Sequence, residues 1–228
     1  MTLRIIVQKC VNHCYALLEG KFSFDHTLNF LIPSLTKAPM KIVDSTEVEA
    51  VVLLSGGIDS ACCAYMLTQQ GYKVSGMFVD FGQASRTPER EFSKAITERL
   101  GISLKVVDVA SEKAFETGEI LGRNAFLAFT ALVHSPPNIK LIAMGLHAGT
   151  PYYDCSQVFL DRIDTLVKEC SSGSVSMIAP FINWQKNDVY EYFKASGIPL
   201  NQTYSCERGT IPACGTCNSC KDRGMIEC

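Results

Sequence analysis

From residue 51 onward the sequence predicts an α/β fold built on a parallel, five-stranded, doubly wound sheet. Three observations lead there. Apolar runs of strand length alternate with longer stretches of helical spacing, glycines or polar residues separate them, and four of the eleven cysteines fall within residues 206–220. The first two describe strands joined by helical crossovers, an arrangement that covers a parallel sheet on both faces. The third describes a tail organised by a metal.

The elements follow in order. Val51–Leu54 is an apolar run before Ser55-Gly56-Gly57, which reads as a buried strand ending in a turn. Asp59–Gln70 has helical spacing and stops at Gly71, a helix C-terminal signal. Val74–Val79 is the second strand, and Pro88–Leu100 is a helix with proline near its start and Gly101 after it. Leu104–Val109 is the third strand, Asn124–Val133 a helix and Leu141–Leu146 the fourth strand. Val158–Cys170 is an amphipathic helix, Val175–Ala179 the fifth strand and Asn187–Ala195 the last helix. In such sheets ligands sit beyond the carboxyl ends of the strands, at the topological switch point. Residues 49–200 are therefore expected to form the α/β domain and 201–228 a metal-binding tail. Residues 1–48 do not share the rhythm and read as an N-terminal extension, with a strand-like run at Leu3–Val7 and an apolar stretch at Leu28–Ile32.

Composition narrows the function classes. Of 228 residues, 47% are hydrophobic and 19% charged, an ordinary soluble balance. The formal net charge of −2 argues against a general polyanion binder. No run of 18 apolar residues is present, so no membrane partner is expected, and the N-terminus lacks the apolar core of a secretory signal. With an odd cysteine count, these features argue against a disulfide framework and for a cytoplasmic location. Cys62 and Cys63, inside an apolar helical stretch, read as small buried hydrophobes.

The first chemical motif is Ser55-Gly56-Gly57-Ile58-Asp59-Ser60, at a strand end and a helix start. Glycines let backbone approach a ligand closely, and the helix presents unpaired amides and a positive dipole end to phosphate. The serine hydroxyls add hydrogen bonds, and Asp59 can hold Mg2+ between phosphates. A glycine turn whose Asp or Ser merely caps the helix is the alternative; the whole six-residue string after an apolar strand favours phosphate. The string is not the Walker pattern, which needs Gly-Lys-Ser or Gly-Lys-Thr. It resembles the PP-loop of the ATP pyrophosphatases, which implies cleavage of ATP between its α and β phosphates, an adenylated intermediate, and the adenine nucleotide alpha hydrolase-like fold.

The second motif is Cys206 followed by Cys214, Cys217 and Cys220, the last three forming two overlapping Cys-x-x-Cys pairs. Four soft thiolates suit tetrahedral Zn2+, with an iron–sulfur cluster as the rival and a redox pair or buried free thiols as the alternative. Four protein ligands leave no open position, so the metal is expected to be structural.

Together the motifs resemble the 7-cyano-7-deazaguanine synthase family over residues 51–223. Asp80-Phe81-Gly82-Gln83 is similar to that family's Asp-Tyr-Gly-Gln, and Gly122-Arg123-Asn124 to its Gly/Ala-Arg-Asn. Tyr153-Asp154-Cys155 resembles its Tyr-Pro-Asp-Cys, and Pro180-Phe181-Ile182 with Lys186 its Pro-Leu-Ile segment carrying a lysine. There are departures. Fifty residues precede the first strand, the stretch from Asp108 to Gly122 is short, and the sequence ends five residues after Arg223, before the family's usual closing helix.

The resemblance implies that ATP adenylates the carboxylate of a 7-carboxy-7-deazaguanine, that ammonia attacks, and that the product is the nitrile. Ser55, Gly56, Gly57, Asp59 and Ser60 then hold pyrophosphate and Mg2+, with Asp80 and Gln83 as further nucleotide contacts at a strand's carboxyl end. Lys186, Arg123 and Asp59 are the catalytic candidates, Lys186 and Arg123 by stabilising developing negative charge. Arg123, Tyr153 and Asp154 are the substrate-binding candidates. Duller readings stand beside these: Arg123 as the partner of a surface carboxylate, Lys186 as a solvated lysine, Asp154 as a helix cap. His134 reads as structural, and so does His147, with a reach from the loop after the fourth strand into the site as its alternative. Glu89, Arg90 and Glu91 read as a solvated helix face. A homo-oligomer is expected. The alternatives are adenylation used to join a deazaguanine to a protein or nucleic acid, a PP-loop tRNA-modifying enzyme, and a non-enzymatic zinc module.

Overall fold

In the computed structural model, residues 48–110, 115 and 119–225 are described. The N-terminal extension expected over 1–48, with its runs at Leu3–Val7 and Leu28–Ile32, lies outside the described residues apart from Val48.

Five parallel strands form one sheet in the order β3-β2-β1-β4-β5. They are β1 (Glu49–Leu53), β2 (Lys73–Asp80), β3 (Ser103–Asp108), β4 (Leu141–Ala143) and β5 (Ser176–Ile178). The central β1 pairs with β2 and β4, placing Val51 opposite Ser75 on one side and Ile142 on the other. The helices between them are α1 (Ile58–Gln69), α2 (Arg86–Leu100), α3 (Arg123–His134), α4 (Gln157–Cys170) and α5 (Lys186–Ser196), with a short α6 (Asn218–Gly224) after the sheet.

Burial explains the strand composition. Ala50 to Leu53 are all buried, so β1 carries an unbroken apolar run, as a strand covered on both faces must. On one face Val51, Leu53, Met77, Val79 and Ile142 pack with Ala128 and Ala131 of α3 and with Ile163 and Val167 of α4. On the other side α1 packs against α2 and α5. Cys62 and Cys63 are fully buried there, as their apolar setting predicts. Burial pushes the Cys63 thiol up to about 12, so it stays a neutral hydrophobe.

Two helix starts follow local capping chemistry. The Ser156 hydroxyl accepts from the Phe159 amide at 3.2 Å and caps α4. Gln185 and Asp188 form a reciprocal capping box at the start of α5. Two strands are shorter than the sequence predicts: β4 stops at Ala143 and β5 spans only Ser176–Ile178. The Met144 amide still donates to the Ile178 carbonyl at 3.0 Å, and at Gly145 the chain passes α1. An ideal Cβ on Gly145 would stand 2.6 Å from the Asp59 carbonyl oxygen, so only glycine permits this approach.

Candidate active site and metal-binding tail

The chain reverses direction across the sheet between β1 and β4, and the loops leaving these two strands meet at the switch point. Beyond β1, Gly56 adopts φ +77°, and a Cβ there would stand 2.9 Å from both the Glu89 carbonyl oxygen and the Phe92 Cβ. A side chain at this position would meet backbone strain and collision together. The loop is braced from within. Ser60 Oγ accepts from the Ser55 amide at 3.3 Å and donates to the Gly57 carbonyl at 3.0 Å. The first amides of α1, at Ile58, Asp59 and Ser60, have no intrahelical acceptor and border a cavity of about 340 Å³. That volume lies within the range of small-molecule sites.

Three polar groups from distant segments meet at the loop. Lys186 Nζ donates to Asp59 Oδ1 at 2.8 Å and to Oδ2 at 2.7 Å, although the two residues are 127 positions apart. His147 Nε2 lies 3.4 Å from the same ammonium. Arg123, at the start of α3, lines the cavity with Asn124.

The sequence-derived candidates divide by place. Ser55, Gly57, Asp59, Ser60, Gln83, Arg123 and Lys186 line the cavity. Gln83 does so with its amide already engaged: Oε1 accepts from the Phe81 amide, and Nε2 donates to the Val79 carbonyl and to Glu89. Asp80 stands aside from the cavity, with Oδ2 on Arg90 at 3.1 Å and Oδ1 accepting from the Gly82 amide. Tyr153 is exposed, its hydroxyl accepting from Arg162 at 2.7 Å. Asp154 borders the site indirectly, its backbone carbonyl accepting from the Asn124 side chain at 3.0 Å.

Glu89 is a residue that sequence reasoning misplaced. Read as part of a solvated face with Arg90 and Glu91, it instead lines the cavity, its carboxylate accepting from Ser85 Oγ at 2.8 Å and Gln83 Nε2 at 3.0 Å. Burial pushes its carboxyl above the usual range, against those two hydrogen bonds. Arg90 also departs from that reading, pairing with Asp80 and Asp108, and only Glu91 is exposed. The available signal was position, since Glu89 opens the helix that follows the carboxyl end of β2.

The four cysteines of the tail converge. Zinc–sulfur bonds of about 2.3 Å set tetrahedral thiolates about 3.8 Å apart. The Cys214 and Cys220 sulfurs are 3.9 Å apart, and all four sulfurs lie within 4.8 Å of one another. That spacing fits one tetrahedral ion. Burial raises the Cys206 thiol, but the Cys214, Thr210 and Arg208 amides and the Thr210 hydroxyl outweigh it and bring it down to about 5. The Thr216 hydroxyl and the Thr216 and Cys217 amides bring Cys214 down to about 7. Both thiols are thus prepared for the thiolate form that binds metal.

The tail also belongs to the cavity. The Tyr204 amide donates to the Gly56 carbonyl at 2.8 Å, and its ring stacks on Phe92 at 5.4 Å. Tyr204, Ser205, Glu207, Ser219 and Asp222 line the same space as the loop.

Comparison with known proteins is consistent with this arrangement. The family profile described as queuosine biosynthesis protein QueC matches residues 49–124 and 118–225. A 7-cyano-7-deazaguanine synthase of Persephonella marina is 27% identical, the match covering 76% of this chain and 89% of the relative. One from Halobacterium salinarum is 30% identical, with 76% and 88% covered. Among solved structures, the U34-tRNA thiolase NcsA of Methanococcus maripaludis superposes with a TM-score of 0.45 at 16% identity, covering 80% of this chain and 73% of its own.

Proposed function

Since the chain belongs to the queuosine biosynthesis protein QueC family, we propose that it is an ATP-consuming synthase that converts a 7-carboxy-7-deazaguanine into the 7-cyano compound with ammonia. The observation that supports this reading is one cavity bordered by the Ser55–Ser60 loop, Lys186 and Arg123. Loop amides, an ammonium and a guanidinium converge there as an anion-binding surface, the arrangement that an adenylation requires.

The chemistry follows from the acid. A carboxylate resists nucleophiles because its charge repels them. Its oxygen attacks the α-phosphorus of ATP, the bond to the β-phosphate oxygen breaks, and pyrophosphate leaves. Ammonia then displaces AMP from the mixed anhydride and gives the amide. A second ATP adenylates the amide oxygen, and loss of AMP with a proton leaves the nitrile. The protein's part is positioning and charge stabilisation. The loop amides with Ser55 and Ser60 seat the departing pyrophosphate, while Lys186 and Arg123 oppose the charge that develops between the phosphates. Mg2+ on Asp59 would neutralise part of that charge. Gly56 and Gly57 keep the backbone open to phosphate.

Asp80 and Gln83 act in the same proposal by shaping the loop after β2, and Asp154 by bracing Asn124 beside Arg123, while Tyr153 faces outward to Arg162. Cys206, Cys214, Cys217 and Cys220 hold structural Zn2+. A cytoplasmic homo-oligomer completes the reading.

Turnover of labelled ATP with 7-carboxy-7-deazaguanine and ammonium, followed by mass spectrometry, tests it. AMP, pyrophosphate and the nitrile are expected. ADP and phosphate would refute the adenylation, and a mass increase on an added protein in place of the nitrile would identify a macromolecular acceptor.

A further inference from the structure

His147 is buried, lies outside the residues assigned above, and touches the cation at the centre of the site. Its two ring nitrogens have different neighbours. Nδ1 stands 2.6 Å from the Ala148 carbonyl oxygen, a group that can only accept, so Nδ1 carries a proton. Nε2 stands 3.4 Å from Lys186 Nζ, a group that can only donate, so Nε2 offers its lone pair. The two contacts select the same neutral tautomer. Nε2 is 3.8 Å from Asp59 Oδ2, too far for a hydrogen bond, so the ring addresses the lysine rather than the carboxylate. The Lys186 ammonium has three protons and three acceptors around it: Asp59 Oδ1, Asp59 Oδ2 and His147 Nε2. It also lies 5.0 Å from the centre of the Tyr190 ring.

Two of those acceptors are shared. Asp59 is the carboxylate that would take Mg2+ with the nucleotide, and oxygens committed to a divalent cation hold an ammonium poorly. His147 Nε2 has no such second task. We infer that His147 is a positioning residue, whose Nε2 lone pair keeps Lys186 aimed at the phosphate loop when Asp59 turns to the metal–nucleotide. The inference rests on the adenylation reading for its catalytic consequence, but the seat exists in the protein without substrate.

Two measurements separate the inference from that reading. The first uses no substrate acid: acylation of Lys186 by a water-soluble ester, followed on its peptide by mass spectrometry, with Mg2+ and a non-hydrolysable ATP analogue present. H147L, which removes the acceptor, should speed Lys186 labelling about fivefold, and H147Q, which can place an amide oxygen near the Nε2 position, should restore the wild-type rate. The second is turnover. H147L should lower kcat about tenfold with the KM for ATP within about twofold, and H147Q should recover most of the loss. Unchanged labelling in H147L overturns the inference, as does an H147Q protein that labels as fast as H147L. Should H147L fail to fold, H147N keeps a donor for the Ala148 carbonyl without the distant acceptor and is held to the same outcomes. If wild-type protein makes no AMP from the deazaguanine acid, the functional reading fails while the labelling result stands.

Discussion

Asp59 and Lys186 form a close ion pair whose side chains are 29% and 26% exposed, so solvent screens it. Its value to folding is accordingly small, and its value to chemistry is positional. Asp59→Ala should lower pyrophosphate release about a hundredfold or more while the melting temperature stays within a few degrees of wild type. Equal losses of turnover and stability would instead make Asp59 a structural residue. The cysteines allow a prediction in pH. Hydrogen bonds lower the Cys214 and Cys206 thiols to about 7 and about 5, so at neutral pH Cys206 favours the thiolate and Cys214 is divided between thiol and thiolate. Acid protonates Cys214 first and Cys206 next, and each proton competes with metal. Affinity of metal-free protein for Zn2+, measured by competition with a chromogenic chelator, should fall as pH drops from 7 to 5. A flat profile would contradict this.

At the scale of elements, the Ser55–Ser60 loop and the helix caps obey different constraints. Gly56 sits at φ +77° against α2, so Gly56→Ala combines a strained backbone with a collision at Glu89 and Phe92. The strain costs about 1–3 kcal/mol, and ATP binding by calorimetry should be lost even where the fold survives. Ser156 caps α4 away from the cavity. Ser156→Ala should remove about 1 kcal/mol and lower the melting temperature by about 2–4 °C, with ATP binding unchanged. If both variants lose binding to the same degree, the loop has no special place. The elements also show where sequence periodicity serves well and where it fails. Its five strands and five helices are all present in the structure, because the buried centre of the sheet demands apolar runs such as β1 and because Gly101, Ser156 and Gly197 mark helix ends. Yet β4 ends three residues early, and just beyond it Gly145 passes over Asp59, a contact between segments far apart in sequence.

For the molecule as a whole, the cysteine tail acts as a wall of the site. Cys206 lies two residues from Tyr204, whose amide holds the Gly56 carbonyl, so the cysteine cluster and the Ser55–Ser60 loop share a short mechanical connection. Replacing Cys217 with Ser should release metal, detected by elemental analysis, and weaken ATP binding about tenfold or more, because small displacements of a positioning loop are costly. Metal loss with unchanged ATP affinity would separate the two modules.

What the sequence determined by itself was local or strongly patterned. Strand and helix order, the glycine loop at a strand end and four cysteines at metal spacing are each written in nearby residues, where periodicity, glycine and thiol chemistry act over short distances. Only the tertiary structure decided which polar groups meet. Lys186 reaches Asp59 across 127 positions, His147 joins them, Glu89 turns inward to Ser85 and Gln83, and Tyr153 turns outward to Arg162. Position after the carboxyl end of β2 places this helical turn near the site, but no local pattern says which of its side chains turns inward. That choice depends on how α2 lies against the loop after β1, and such packing is settled by contacts among the whole set of elements.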